Sequence, residues 1–225
     1  MLPRMHKAWR ANAHEDAPEL ALVGGKRLLC VMATTQEYTP HLQAKIDPLI
    51  TGVGPAEAAG ALAAVLGRLS ATHGLPDLIV ALGSAGSRSL DHAGIYQASS
   101  VSYRDMDCSP LGFARGVTPF SAEPPVLLLG PIMPGLRTAT LASGASIISG
   151  DAYDQVDADM VDMETYAYAR VARLFGKPLI SLRGISDGRV PLGGLSDWTD
   201  TLDQIGAGLA EALGALQAFL LAQGQ

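Results

Sequence analysis

Three carboxylates in this chain stand where an alternation of strands and helices would bring side chains to one edge of a sheet. Glu37 comes shortly after the apolar run Arg27–Ala33, Glu164 closes Val161-Asp162-Met163-Glu164 and opens a helical stretch, and Asp187 follows the apolar run Leu179–Ile185. Carboxylates whose surroundings pull their proton affinities apart can divide acid and base work on one substrate. Taken singly, each has an ordinary structural role as well. Glu37 and Glu164 suit the first turn of a helix, where the dipole favours an acid, and Asp187 suits a cap or turn.

Other motifs point less far. Gly52-Val53-Gly54 resembles the start of a dinucleotide fingerprint, but Glu57 holds the third glycine position and would oppose a pyrophosphate. A tight strand-to-helix turn accounts for both glycines. Gly83-Ser84-Ala85-Gly86-Ser87 lacks the glycine two residues before the serine that a nucleophile elbow needs. As a glycine-rich loop at a strand end, it suits backbone N–H donors around a small polar ligand. His6, His14, His41, His73 and His92 have no metal-ligand spacing and read as surface histidines, so no metal is expected.

The elements that must position these groups can be read from the apolar runs. Strands are expected at 27–33, 47–51, 78–82, 98–103, 126–129 and 179–185. Pro55 opens an Ala/Leu helix that Gly74 ends, and a last helix over 200–222 carries the stripe Leu202, Ile205, Leu209, Leu213, Leu216 and Leu220. Strand and helix in alternation predict a three-layer α/β/α domain, with ligands bound outside the carboxyl ends of the strands. One domain over 27–225 is expected. Residues 1–26 carry four basic and three acidic residues with no apolar period, and read as a flexible N-terminal extension rather than a signal peptide.

Composition bounds the function. With 225 residues, 16 Lys and Arg against 22 Asp and Glu, a formal charge of -6 and 48% apolar residues, the chain can build a large core. The acidic balance excludes a nucleic-acid coat. The apolar runs fall short of the roughly 18 uninterrupted residues of a membrane span, so no membrane partner is expected. Cys30 and Cys108 make neither a disulfide scaffold nor a metal pair, and a reducing cytoplasm is expected.

An ordered set of motifs resembles the purine nucleoside phosphorylase and nucleosidase superfamily, and most of all its 5′-methylthioadenosine/S-adenosylhomocysteine nucleosidase branch. The set comprises the strand into Ala33 with Glu37 four residues on, Gly52-Val53-Gly54 before an Ala-rich helix, and Leu82-Gly83-Ser84-Ala85-Gly86. It continues through Tyr103-Arg104-Asp105-Met106-Asp107, Ser149-Gly150-Asp151-Ala152-Tyr153, Val161-Asp162-Met163-Glu164 and Arg183-Gly184-Ile185-Ser186-Asp187, covering the chain from about Arg27 to its end.

The resemblance implies a central twisted mixed sheet and cleavage of the N-glycosidic bond between adenine and ribose. On that reading Asp187 is the general acid at N7 of the leaving adenine, oriented by Ser186. Glu37 activates the attacking water, which Ser84 helps to place. Glu164 accepts hydrogen bonds from the ribose hydroxyls, Met163 packs on the sugar, Tyr153 stacks on the base and Arg183 steadies the carboxylates. Trp198 either covers the 5′ end as a lid or anchors the last helix. No cofactor is implied, and a homodimer is, with the Asp105–Phe113 loop near the subunit boundary.

The chain departs from the family pattern at Thr34, where a methionine is usual, at Cys108 and Leu111, where Val and Phe commonly line the 5′ pocket, and in a shortened segment between Glu37 and Gly52. These changes leave the 5′ substituent open. A phosphorylase is the alternative, though its arginine before the Gly-Ser pair is here Ala81, with Arg88 beyond the pair as the cation nearest in sequence. A non-catalytic nucleoside sensor is a second alternative.

Overall fold

The structure, a computed structural model, describes residues 9–10, 20–72, 74–188 and 190–223. Most of the segment read as an extension (1–8 and 11–19), together with His6, His14 and His73, lies outside the described residues.

In chain order the elements are β1 (Trp9–Arg10), β2 (Ala21–Val23), β3 (Lys26–Met32), α1 (Pro40–Gln43), β4 (Leu49–Ile50), α2 (Pro55–Ala71), β5 (Leu78–Gly86) and β6 (Ile95–Tyr103). They continue with β7 (Val126–Leu128), β8 (Thr138–Ser143), β9 (Met160–Asp162), α3 (Thr165–Leu174), β10 (Leu179–Asp187), α4 (Leu195–Thr199) and α5 (Leu202–Gln223). The sheet runs β1-β4-β3-β5-β10-β6-β8-β9, with β2 on β3 and β7 on β6. β3, β4, β5 and β10 are parallel, while β6 runs against β10, which makes the sheet mixed. A bridge from Gly86 to Val161 joins β5 to β9 and closes β5, β10, β6, β8 and β9 into a ring.

Unalternating apolar strands bury both faces, and the two faces feed different cores. Leu29, Val31, Ile79 and Ala81 meet Leu62, Val65, Leu66 and Leu69 of α2 and Tyr168 and Val171 of α3. The alternate residues Leu28, Cys30, Met32, Leu78, Val80 and Leu82 meet Leu42 of α1 and Ile205, Leu209, Leu216 and Leu220 of α5. Each such side chain contributes about 1.5–3 kcal/mol on burial. The three-layer arrangement is therefore the direct outcome of one strand pattern and two amphipathic helix pairs. The stretch Leu195–Gln223 is long and apolar enough by length and composition to cross a bilayer, at a mean hydropathy of 1.6. In the fold, the α5 stripe packs on the sheet.

Several boundaries differ from the sequence expectations. Ala21–Val23, placed in the extension, pairs antiparallel with β3, so the sheet begins before residue 27. β8 and β9 were not legible because short strands flanked by turn residues have too little apolar run to register. The glycine-rich segment after Leu82 is strand rather than loop. Gly83 to Ala85 pair in register with Arg183 to Ile185 of β10, because a strand tolerates glycine where side chains from elsewhere cross over it.

Candidate active site

Two clusters lie along the carboxyl-terminal half of β5. The first surrounds Gly83 and Ser84. Glu37, in the turn after β3, is buried, and its Oε1 accepts hydrogen bonds from both the backbone N–H and the hydroxyl of Ser84, each at 2.7 Å. It is not a first-turn acid, since α1 starts only at Pro40. Arg183 reaches the same place from β10: a Cβ on Gly83 would meet its Nη1 at 2.6 Å and both Glu37 carboxylate oxygens at 3.1 Å. Only a glycine lets a guanidinium and a carboxylate share the surface of that strand.

Arg183 is itself held by Asp162 at the end of β9. Its Nη2 donates to Asp162 Oδ2 at 2.8 Å and its Nε to the same oxygen at 3.1 Å, with both side chains almost fully buried. Ser143 and Thr165 also donate to Asp162, which satisfies a charge that would otherwise be costly in the interior. Glu164 follows as the N-cap residue of α3, yet its side chain makes no cap bond there. Its Oε1 instead accepts the N–H of Gly54 at 2.8 Å, at the start of α2. Burial pushes Glu164 up to about 7, with Asp162 adding to the rise, Arg183 and the Gly54 N–H opposing it, and Glu37 adding a smaller push. Burial also raises Glu37, against the lowering influence of Ser84 and Arg183. Met163 lies half-buried in the bend between Asp162 and Glu164.

The second cluster surrounds Gly86. β10 shifts register between Ile185 and Asp187, so that Asp187 pairs with Gly86 and Ser186 is left out of the ladder. Such a bulge re-aims the side chains that flank it. Ser186 Oγ donates to Asp187 Oδ1 at 2.6 Å. Burial raises the Asp187 carboxyl above its ordinary value, while the Ser186 bond and the charge of His92 lower it. Tyr153, in the turn Gly150–Gln155, is 5% exposed, and its hydroxyl has no hydrogen-bond partner among the described residues. A Cβ on Gly86 would come within 2.3 Å of that hydroxyl and 2.9 Å of Asp187 Oδ2, so phenol and carboxyl share one space. Arg88 lies 5.8 Å from the Tyr153 ring centre and is paired with Asp154.

The clusters are three residues apart on one strand, roughly 10 Å along the backbone. Trp198, on α4, is half-buried and donates its indole N–H to Ser84 Oγ at 2.8 Å, which brings the helix over the Glu37 end. Among the described residues, no group of three or more His, Cys, Asp or Glu side chains is placed to hold a metal.

A profile of the phosphorylase superfamily matches residues 38–222. The chain belongs to that superfamily. A 5′-methylthioadenosine/S-adenosylhomocysteine nucleosidase of Actinobacillus succinogenes is 29% identical over 147 residues, 57% of this chain and 64% of that protein. The chain thus spans less than two thirds of the length of that relative. Within the superfamily, an S-adenosylhomocysteine nucleosidase of Streptococcus pyogenes, crystallised with 5-methylthiotubericidin, superposes with a TM-score of 0.67 at 23% identity over 87% of this chain and 96% of that one. A futalosine hydrolase mutant of Helicobacter pylori gives 0.68 at 18% identity over 84% and 96%. At these identities the superpositions show a shared fold, with the mixed sheet and its helices as described above.

The fold brings together Glu37, Ser84, Arg183, Glu164 and Trp198 around one end of the site, and Asp187, Ser186 and Tyr153 around the other. Arg183 touches carboxylates and Thr165 rather than open space, so it steadies the site from beneath instead of lining it. Asp162 was given no role from the sequence, although it had a signal, because a lone arginine inside the apolar run of β10 demands a buried anionic partner. His92 is exposed, as its surface reading had it, and exerts the smallest of the influences on Asp187.

Proposed function

We propose that this protein hydrolyses the N-glycosidic bond of 5′-substituted adenine nucleosides of the methylthioadenosine and S-adenosylhomocysteine class, releasing adenine. Asp187, a carboxyl whose burial favours its protonated form, serves as general acid at the leaving base, steadied by Ser186. Tyr153 packs at the base end. Glu164 receives ribose hydroxyls beside Met163, and Glu37 takes the proton of the attacking water. Burial raises both carboxyls, and each has its own opposing neighbours: Ser84 and Arg183 for Glu37, Ser186 and His92 for Asp187. The named activities of the superposed and sequence-similar nucleosidases support the same class.

The observation that carries hydrolysis over phosphorolysis is the fate of the Ser84 donors. Both the N–H and the hydroxyl proton of Ser84 go to Glu37, so the nucleophile end presents a carboxylate in place of donors for an anion. Phosphate needs cations there. Arg88 sits at the base end with Asp154, and Arg183 is committed to Asp162. Adenine release from methylthioadenosine at equal rates with and without phosphate is the expected result. Strict phosphate dependence with ribose-1-phosphate as product would overturn it.

The proposal includes a homodimer acting in the cytoplasm, within methionine salvage. What favours self-association is the β6–β7 connection, where Leu111 is 76% and Phe120 is 99% exposed. Sedimentation of the full chain tests it.

A further inference from the structure

Trp198 joins the Glu37 end of the site through a polar contact that an aromatic cover alone would not need. Its Nε1–H lies 2.8 Å from Ser84 Oγ, and Ser84 Oγ lies 2.7 Å from Glu37 Oε1. An indole N–H only donates, a carboxylate only accepts, and a serine hydroxyl has one proton. The chain therefore runs in a single direction, from Trp198 to Ser84 to Glu37. Linked bonds of this kind polarise one another in a site shielded from water.

We infer that Trp198 is a positioning residue for the water-activating carboxylate: by filling an acceptor site on Ser84 it holds the hydroxyl with its proton on Glu37 Oε1. Both Ser84 donations fall on Oε1, and neither uses Oε2, which is left to take a proton from water. The inference rests on the hydrolytic reading above. It also gives α4 a task. The loop before α4 is tied down where the Leu192 N–H donates to Ser149 Oγ at 2.9 Å and the Gly193 N–H to Asp197 Oδ2 at 2.6 Å. The segment that carries Trp198 onto Ser84 is thus also tied, through Leu192 and Ser149, to the turn that holds Tyr153, so one segment touches both ends of the site.

The direction of the pH effect follows. The Ser84 hydroxyl lowers the proton affinity of Glu37. Phe at position 198 keeps a ring but loses the N–H, which frees the Ser84 hydroxyl to turn away. Glu37 then binds its proton more tightly, and the acidic limb of kcat/KM moves to higher pH.

The test is a double-mutant cycle on adenine release from methylthioadenosine, with W198F, S84A and W198F/S84A. W198F is expected to lower kcat about three- to tenfold, with KM within about twofold, and to raise the pH of the acidic limb. In the S84A background the same change is expected to add nothing. An unshifted limb in W198F, or an equal further loss in the double variant, overturns the inference. A second readout needs no turnover. In W9F, Trp198 is the sole tryptophan, and both S84A and E37Q are expected to shift its emission. Emission indifferent to both changes overturns the inference even if hydrolysis stands. A shift with no adenine release would leave the contact intact and sink the hydrolytic reading instead.

Discussion

Replacing Asp187 by Asn exchanges the acidic O–H for a non-acidic NH2 while keeping the side chain's shape and an oxygen for the Ser186 hydroxyl, which donates at 2.6 Å. If Asp187 protonates the leaving adenine, the loss falls on the chemical step. Removing a positioned general acid costs about 10²–10⁴-fold, or about 2.7–5.5 kcal/mol of barrier. D187N should therefore reduce kcat for methylthioadenosine by at least ~100-fold with KM little changed. A riboside with an activated leaving group such as 4-nitrophenolate, which departs without protonation, should lose far less.

Stability should move the other way. Burial is the main cause raising Asp187 above its ordinary value of 3.8. The folded state thus holds more protons than the unfolded chain as pH rises from that value to the folded one, and stability falls across that window. Asn removes the penalty, so D187N should melt no lower than wild type at pH 8, with any advantage gone at acidic pH. Stopped assays with both leaving groups and thermal melts at two pH values check this. Equal losses on both substrates, or more than a tenth of wild-type activity retained on methylthioadenosine, would refute the acid role, and a melting point several degrees lower would trace the loss to unfolding.

Other outcomes follow from the same geometry. Glu164, raised from 4.5 to about 7, costs stability once ionised, so E164Q should raise unfolding free energy at pH 8 by up to about 3 kcal/mol and by nothing near pH 4, as read by urea titration. G83A puts a methyl 2.6 Å from Arg183 Nη1 and 3.1 Å from both Glu37 oxygens. Steady-state kinetics should show kcat reduced at least ~10-fold, with a stability loss of about 1–3 kcal/mol in urea. D162A strands the Arg183 guanidinium, whose side chain is 3% exposed. Denaturation should report a loss of about 3–5 kcal/mol.

How far the sequence could be read depends on the range of the forces involved. Apolar periodicity is local, so the strands at β3, β5, β6, β7 and β10 and the helices α2 and α5 were legible to within a few residues, and with them the layered α/β plan. The three carboxylates were visible for the same reason, as polar residues next to apolar runs. Asp162 was legible in retrospect from Arg183, because a buried cation needs a buried anion wherever that anion lies in sequence. What the sequence could not show was pairing across the chain. Glu37 and Ser84 are 47 residues apart, and Trp198 and Ser84 are 114 apart. The bulge that sets Asp187 opposite Gly86, the bridge that brings β9 to β5, and the phenol of Tyr153 beside Asp187 likewise exist only once the sheet has closed. Residue types and their order by themselves determined the layers and supplied the acids. The tertiary structure decided which acid is buried, what donates to it and hence which way its proton affinity moves, because desolvation and hydrogen bonding depend on neighbours in space rather than in sequence.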